Sequence, residues 1–149
     1  AFPPPAGGPD LSADGARGAR MKTVLVVDDE YLLRWALKEG LKDRYRILTA
    51  GSVDEAIQVL ESDTVDAVIT DIRMPIRSGV ELVKHVRGTR PGMKVFVISA
   101  VGSDDDMRRC YDCDVEAVLR KPLEIPLIRR MIELHLDGAV SEATGGSKS

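Results

Sequence analysis

Four charged side chains stand at the ends of short apolar runs: Asp28 and Asp29 after Val24-Leu25-Val26-Val27, Asp71 after Ala67-Val68-Ile69-Thr70, and Lys121 after Ala117-Val118-Leu119-Arg120. Runs this short, separated by helical patterns, read as buried parallel strands, and ligands in such sheets sit outside the carboxyl ends of the strands. The four charges are therefore expected to converge. Three carboxylates beside one ammonium repel one another unless a further cation joins them, and a hard, oxygen-seeking divalent ion such as Mg2+ meets that need. Phosphoryl transfer requires an in-line nucleophile, positive charge on the equatorial oxygens and a dry, positioned site, and a carboxylate is a usable nucleophile toward phosphorus. Asp71, expected at the centre of the sheet, is the candidate nucleophile. Asp28 and Asp29, from the neighbouring strand, are the candidates to hold the metal, and Lys121 supplies the remaining positive charge. Ser99 closes a fourth apolar run, Lys94-Val95-Phe96-Val97-Ile98, so its hydroxyl is expected at the same rim, in reach of a phosphoryl oxygen. Taken singly, the aspartates are equally well explained as helix caps. Their joint placement with Ser99 and Lys121 points to chemistry.

The elements that must position these residues follow from periodicity. Strands are expected at 23 to 27, 46 to 50, 66 to 70, 94 to 99 and 116 to 120, alternating with helical patterns. Five such alternations predict an α/β fold: a doubly wound five-stranded parallel sheet in the order 2-1-3-4-5, a flavodoxin-like (βα)5 three-layer sandwich. Strands one, three and four are almost wholly apolar, whereas Arg46-Ile47-Leu48-Thr49 and Glu116-Ala117-Val118-Leu119 are mixed, as edge strands are. Ser52-x-x-Glu55, Ser78-x-x-Glu81 and Ser103-x-x-Asp106 each pair a capping hydroxyl with an acidic residue three positions on, and predict three helix starts. The first helix is expected to bury Leu33, Ala36, Leu37 and Leu41, leaving Trp35 half-exposed; the last is expected to start near Pro126 and to bury Ile128, Met131, Ile132 and His135.

At 149 residues the chain has room for one well-buried domain. Residues 1 to 20 carry three consecutive prolines and no apolar periodicity, and are expected to be a disordered extension; 21 to 137 form the domain, and 138 to 149 read as a flexible polar tail. Hydrophobic residues at 44% and charged residues at 30% fit a soluble globular protein, and a net charge of -3 gives no general pull toward nucleic acid. No apolar stretch approaches the roughly 18 residues needed to span a bilayer, so no membrane association is expected and the cytoplasm is the simplest location. Cys110 and Cys113 form a C-x-x-C near the end of a helical stretch rather than directly after a strand, which favours two reduced thiols over a redox pair.

The ordered set of Asp28-Asp29, Asp71-Ile72-Arg73-Met74-Pro75 followed by Gly79, Ser99-Ala100 and Lys121-Pro122, on a fivefold alternation, resembles the receiver domain of bacterial response regulators from Met21 to Leu136. The resemblance implies Asp71 as phosphoacceptor, Asp28, Asp29 and the carbonyl of Arg73 as Mg2+ ligands beside Asp71, Ser99 as the switch hydroxyl and Lys121 as the phosphoryl-contacting lysine. It also makes Lys121-Pro122 a candidate cis bond. The implied donor is a sensor histidine kinase or phosphotransfer protein, and the implied partner face comprises the helix at 104 to 113, the strand at 116 to 120 and the last helix. On this reading the chain is a regulatory phosphoacceptor in a two-component system, not an enzyme. Val118 stands where the family usually has an aromatic residue, Leu123 replaces a common aromatic after Lys-Pro, and Arg73 and Val101 occupy variable positions close to the path of attacking water. The alternatives are a degenerate receiver that serves as a phosphorylation-independent platform, and a metal-dependent phosphatase or flavin binder on the same architecture. The acidic Asp28-Asp29 would repel a flavin phosphate.

Overall fold

The computed structural model describes residues 21–100, 108 and 114–138. Expectations for residues 1 to 20 and 139 to 149, the Ser103 cap, Val101, the two cysteines and, apart from residue 108, the 104 to 113 helix fall outside those residues.

Five strands, β1 (Thr23–Val27), β2 (Arg46–Ala50), β3 (Ala67–Asp71), β4 (Lys94–Ser99) and β5 (Ala117–Arg120), form one parallel sheet in the order β2-β1-β3-β4-β5. Four helices are described: α1 (Tyr31–Leu41), α2 (Val53–Ser62), α3 (Gly79–Thr89) and α4 (Ile125–Leu136). Every residue of β1 and β3 is buried, because both faces of a central parallel strand are covered by helices. At the edges, Arg46 in β2 and Arg120 in β5 are exposed. The strand period of two then sorts the apolar side chains into two cores. Leu25, Val27, Val68 and Val97 face α2 and α3. Val24, Val26, Ile69 and Phe96 face α1 and α4.

The register carries functional weight. Val27 pairs with Ala50 and Thr70, Asp71 with Ile98, and Ser99 with Arg120. The carboxyl ends of all five strands therefore finish together, and the residues that follow them share one rim.

Several helix details depart from the periodicity. Only Leu37 and Leu41 of α1 are fully buried; Leu33 and Ala36 are half-buried, with Leu33 packed against the same core. Met131 and His135 of α4 are likewise half-buried, the imidazole lying edge-on to Phe96 at 5.3 Å. β3 extends one residue further than its apolar run and takes in Asp71, which pairs with Ile98; β5 starts one residue later than expected. Ser52 Oγ accepts from Glu55 N at 3.1 Å, as the first capping pair predicts, while Glu55 Oε1 accepts from the N–H of Gly51, one residue before the cap, at 2.7 Å. At α3, Ser78 Oγ accepts from Val80 N instead, at 3.2 Å.

Candidate functional site

Where β1 ends, the chain turns out of the sheet through Asp28 and Asp29. The Asp28 main chain is held on both sides: its N–H donates to Ala50 O at 3.1 Å, and its carbonyl accepts from Arg34 Nη1 of α1 at 2.6 Å. The Asp28 carboxylate points inward and is fully buried. Its Oδ1 accepts from Glu30 N at 2.8 Å, while Oδ2 is buried with no hydrogen-bond donor among the described residues. Asp29 is exposed on the rim.

Asp71 ends the central strand and is 3% exposed. Its Oδ1 accepts from Arg73 N at 3.0 Å, so the following loop folds back onto the carboxylate it follows. Its Oδ2 accepts from Lys121 Nζ, also at 3.0 Å, and Lys121 stands 3.5 Å from Glu30 Oε1 as well. Asp28, Asp29 and Asp71 each offer an oxygen, all within 4.8 Å of one another. Ser99, buried at the end of β4, lies one residue beyond the strand partner of Asp71. Its carbonyl accepts from Lys121 N at 3.0 Å, which ties the serine and the lysine together through the backbone. The Lys121-Pro122 bond is cis. Asp28, Asp29, Asp71 and Lys121 are thus brought into one pocket, with Ser99 and Arg73 on the same rim.

Burial and neighbouring charges set the protonation of this cluster. Burial pushes the Asp28 carboxyl up to about 7, the neighbouring Asp71 adds to the rise, and the Glu30 N–H and Lys121 oppose it. Burial lowers the Lys121 pKa, but the hydrogen bond and charge of Asp71, with Asp28 and Glu30 behind it, outweigh that and hold it above its ordinary value. A buried carboxylate oxygen that has no donor among the described residues, in a cluster of carboxylate oxygens, fits a hard divalent cation such as Mg2+.

The loop after Asp71 is anchored with unusual care. A Cβ at Gly79 would collide with the Asp71 carbonyl oxygen and come within 2.9 Å of Ile72 Cα, so only glycine lets α3 start this close to the acidic strand end. Gly79 N donates to Ile72 O at 2.7 Å. Between them Ile76 has φ of 72° at the centre of a turn in which Arg77 N donates to Pro75 O at 2.8 Å, the rare left-handed form of the γ-turn. Arg77 then pairs with Asp54 of α2 at 2.6 Å and Glu81 of α3 at 3.0 Å.

Sequence reasoning overlooked Glu30, Arg34 and Arg77. Glu30 directly follows the acidic pair, a signal that was available, as was the four-residue spacing of Arg77 and Glu81; the Arg34 bond to the Asp28 carbonyl and the Arg77 pair with Asp54, 23 residues away, carry no such signal.

Comparison with known proteins agrees with this fold. The sequence profile of the response regulator receiver domain matches residues 24–133. The chain is 34% identical over 129 residues to the transcriptional regulatory protein PdtaR of Mycobacterium tuberculosis, covering 85% of this chain and 61% of that protein. It is 28% identical over 111 residues to a cyclic di-GMP phosphodiesterase of Thermotoga maritima, covering 74% of this chain but only 30% of that protein. Among solved structures, a response regulator receiver protein from Pseudomonas putida superposes with a TM-score of 0.73 at 28% identity, covering 77% of this chain and 98% of that one.

Proposed function

Because the chain belongs to the response regulator receiver domain family, we propose that Asp71 accepts a phosphoryl group from a histidine kinase or phosphotransfer protein, and that the acyl phosphate shifts the domain between two protein-binding surfaces. The observation that carries this reading is the Asp71 carboxylate, buried at the end of the central strand, 3.0 Å from Lys121 Nζ and clustered with Asp28 and Asp29.

The chain's own residues supply positioning and charge. The Arg73 N–H and the Lys121 ammonium hold the two Asp71 oxygens, which fixes the carboxylate plane toward the rim. Attack on phosphorus forms a P–O bond as the donor's P–N bond breaks, the electron pair and then a proton going to the departing imidazole. Lys121, already beside Asp71, follows the new charge onto a phosphoryl oxygen. The Ser99 hydroxyl supplies a donor to another. Asp28, Asp29, Asp71 and the Arg73 carbonyl are the residues that would hold Mg2+. When bound, that ion would neutralise charge on the transferring group. Phosphorylation adds charge of about -1.5 to -2 and three acceptor oxygens at Asp71, and the pull on Ser99 and Lys121 biases the loops beyond them.

Incubation with Mg2+ and acetyl phosphate, followed by intact mass and peptide mapping, tests the proposal. One labile adduct is expected at Asp71, absent in Asp71→Asn and absent without the divalent ion. A parent chain that remains unlabelled would favour the fixed interaction platform.

A further inference from the structure

Lys121 does not belong to Asp71 alone. Its ammonium is 3.0 Å from Asp71 Oδ2 and 3.5 Å from Glu30 Oε1, so one cation bridges the buried nucleophile and a carboxylate on the rim. The two distances laid end to end put the Glu30 carboxylate no more than about 6.5 Å from that of Asp71, close enough for its charge to be felt by anything that approaches. Glu30 precedes the first residue of α1 and makes no side-chain capping bond there, and its side chain is 64% exposed. It therefore stands over the mouth, outside the cluster of Asp28, Asp29 and Asp71.

Resting on the phosphoacceptor reading above, we propose that Glu30 is a specificity-determining residue: an electrostatic gate that disfavours small, free, dianionic phosphodonors at Asp71. Its negative charge lies beside the path an incoming phosphate must take, and it draws on the ammonium that would otherwise face the donor alone. A docked protein donor offsets this repulsion with the binding energy of its interface. A small metabolite carrying an acyl phosphate has no such compensation. The gate acts on rate through charge, so it scales with the charge of the donor and is screened by salt.

The test compares Glu30→Gln with the parent at saturating Mg2+, using initial rates of Asp71 labelling by acetyl phosphate and by phosphoramidate, which carries one negative charge fewer near neutral pH. Removing one unit charge at this distance is expected to raise the acetyl phosphate rate about three- to tenfold at low salt. The gain should be smaller with phosphoramidate and should shrink toward unity at high salt. Glu30→Asp, which keeps the charge, should stay close to the parent. Unchanged or slower labelling of Glu30→Gln, or a gain equal for both donors and indifferent to salt, would overturn the gate and leave the phosphoacceptor reading intact. Failure of both donors to label Glu30→Gln as well as the parent would remove both.

Discussion

Asp28 is the residue on which the site's energetics turn. Its carboxylate is buried and receives one backbone donor, and burial together with Asp71 raises it from the ordinary 3.8 to about 7. A folded-state value above the unfolded one means that the group's contribution to stability is fully present below pH 3.8 and is lost as pH rises through about 7. Metal-free parent protein should therefore lose stability relative to Asp28→Asn across that window, the variant having no proton to lose. By urea denaturation at pH 8 without divalent ions, the variant should be the more stable by on the order of 2 kcal/mol, with the gap closing toward pH 4. An unchanging gap would show that the buried carboxyl does not carry the strain. This residue's place beside Asp71 was legible from the joint placement of the acidic pair with Asp71, Ser99 and Lys121, since an aspartate after an apolar run is equally well a helix cap when taken singly. The reach of Glu30 to Lys121 was not, because it depends on a side-chain rotamer at the rim rather than on spacing.

Among the elements, α3 is the one that the site constrains most tightly. Its first residue, Gly79, touches the backbone of Asp71 and Ile72 where a side chain cannot fit. Gly79→Ala must move either α3 or the end of β3, and should cost about 2–3 kcal/mol while slowing the labelling of Asp71 in the molecules that remain folded. Ser52→Ala offers the contrast. It removes the bond to Glu55 N at the start of α2, on a helix with no residue in the acidic cluster, and should cost about 1 kcal/mol with the labelling rate unchanged. Both capping serines were readable from the hydroxyl-x-x-acid spacing. The turn at Ile76 was not, because a β-branched residue at φ of 72° contradicts local preference, and the Arg77 pair with Asp54 beside it joins residues far apart in sequence.

For the whole molecule, the decisive fact is that residues 28, 71 and 121 meet only when β1, β3 and β5 are in register at one rim. The apolar runs at 23 to 27, 46 to 50 and 94 to 99 delimit their strands to the residue, since burial between helices leaves their composition little freedom; the mixed edge run at 116 to 120 delimits its strand less sharply. Because the unfolded chain holds no such constellation, a divalent ion that binds the pocket binds the native state alone and must raise global stability by mass action. Mg2+ at a hundred times its dissociation constant should add about 2.7 kcal/mol, which for a domain of this size is a rise in Tm of about 10 °C. Asp28→Asn should start higher without the ion and gain little with it, so that the stability curves of parent and variant cross as Mg2+ is titrated. Thermal unfolding of both proteins across a Mg2+ series decides the matter. Parallel curves would mean that the ion binds elsewhere, and that the buried Asp28 carboxylate is not a ligand.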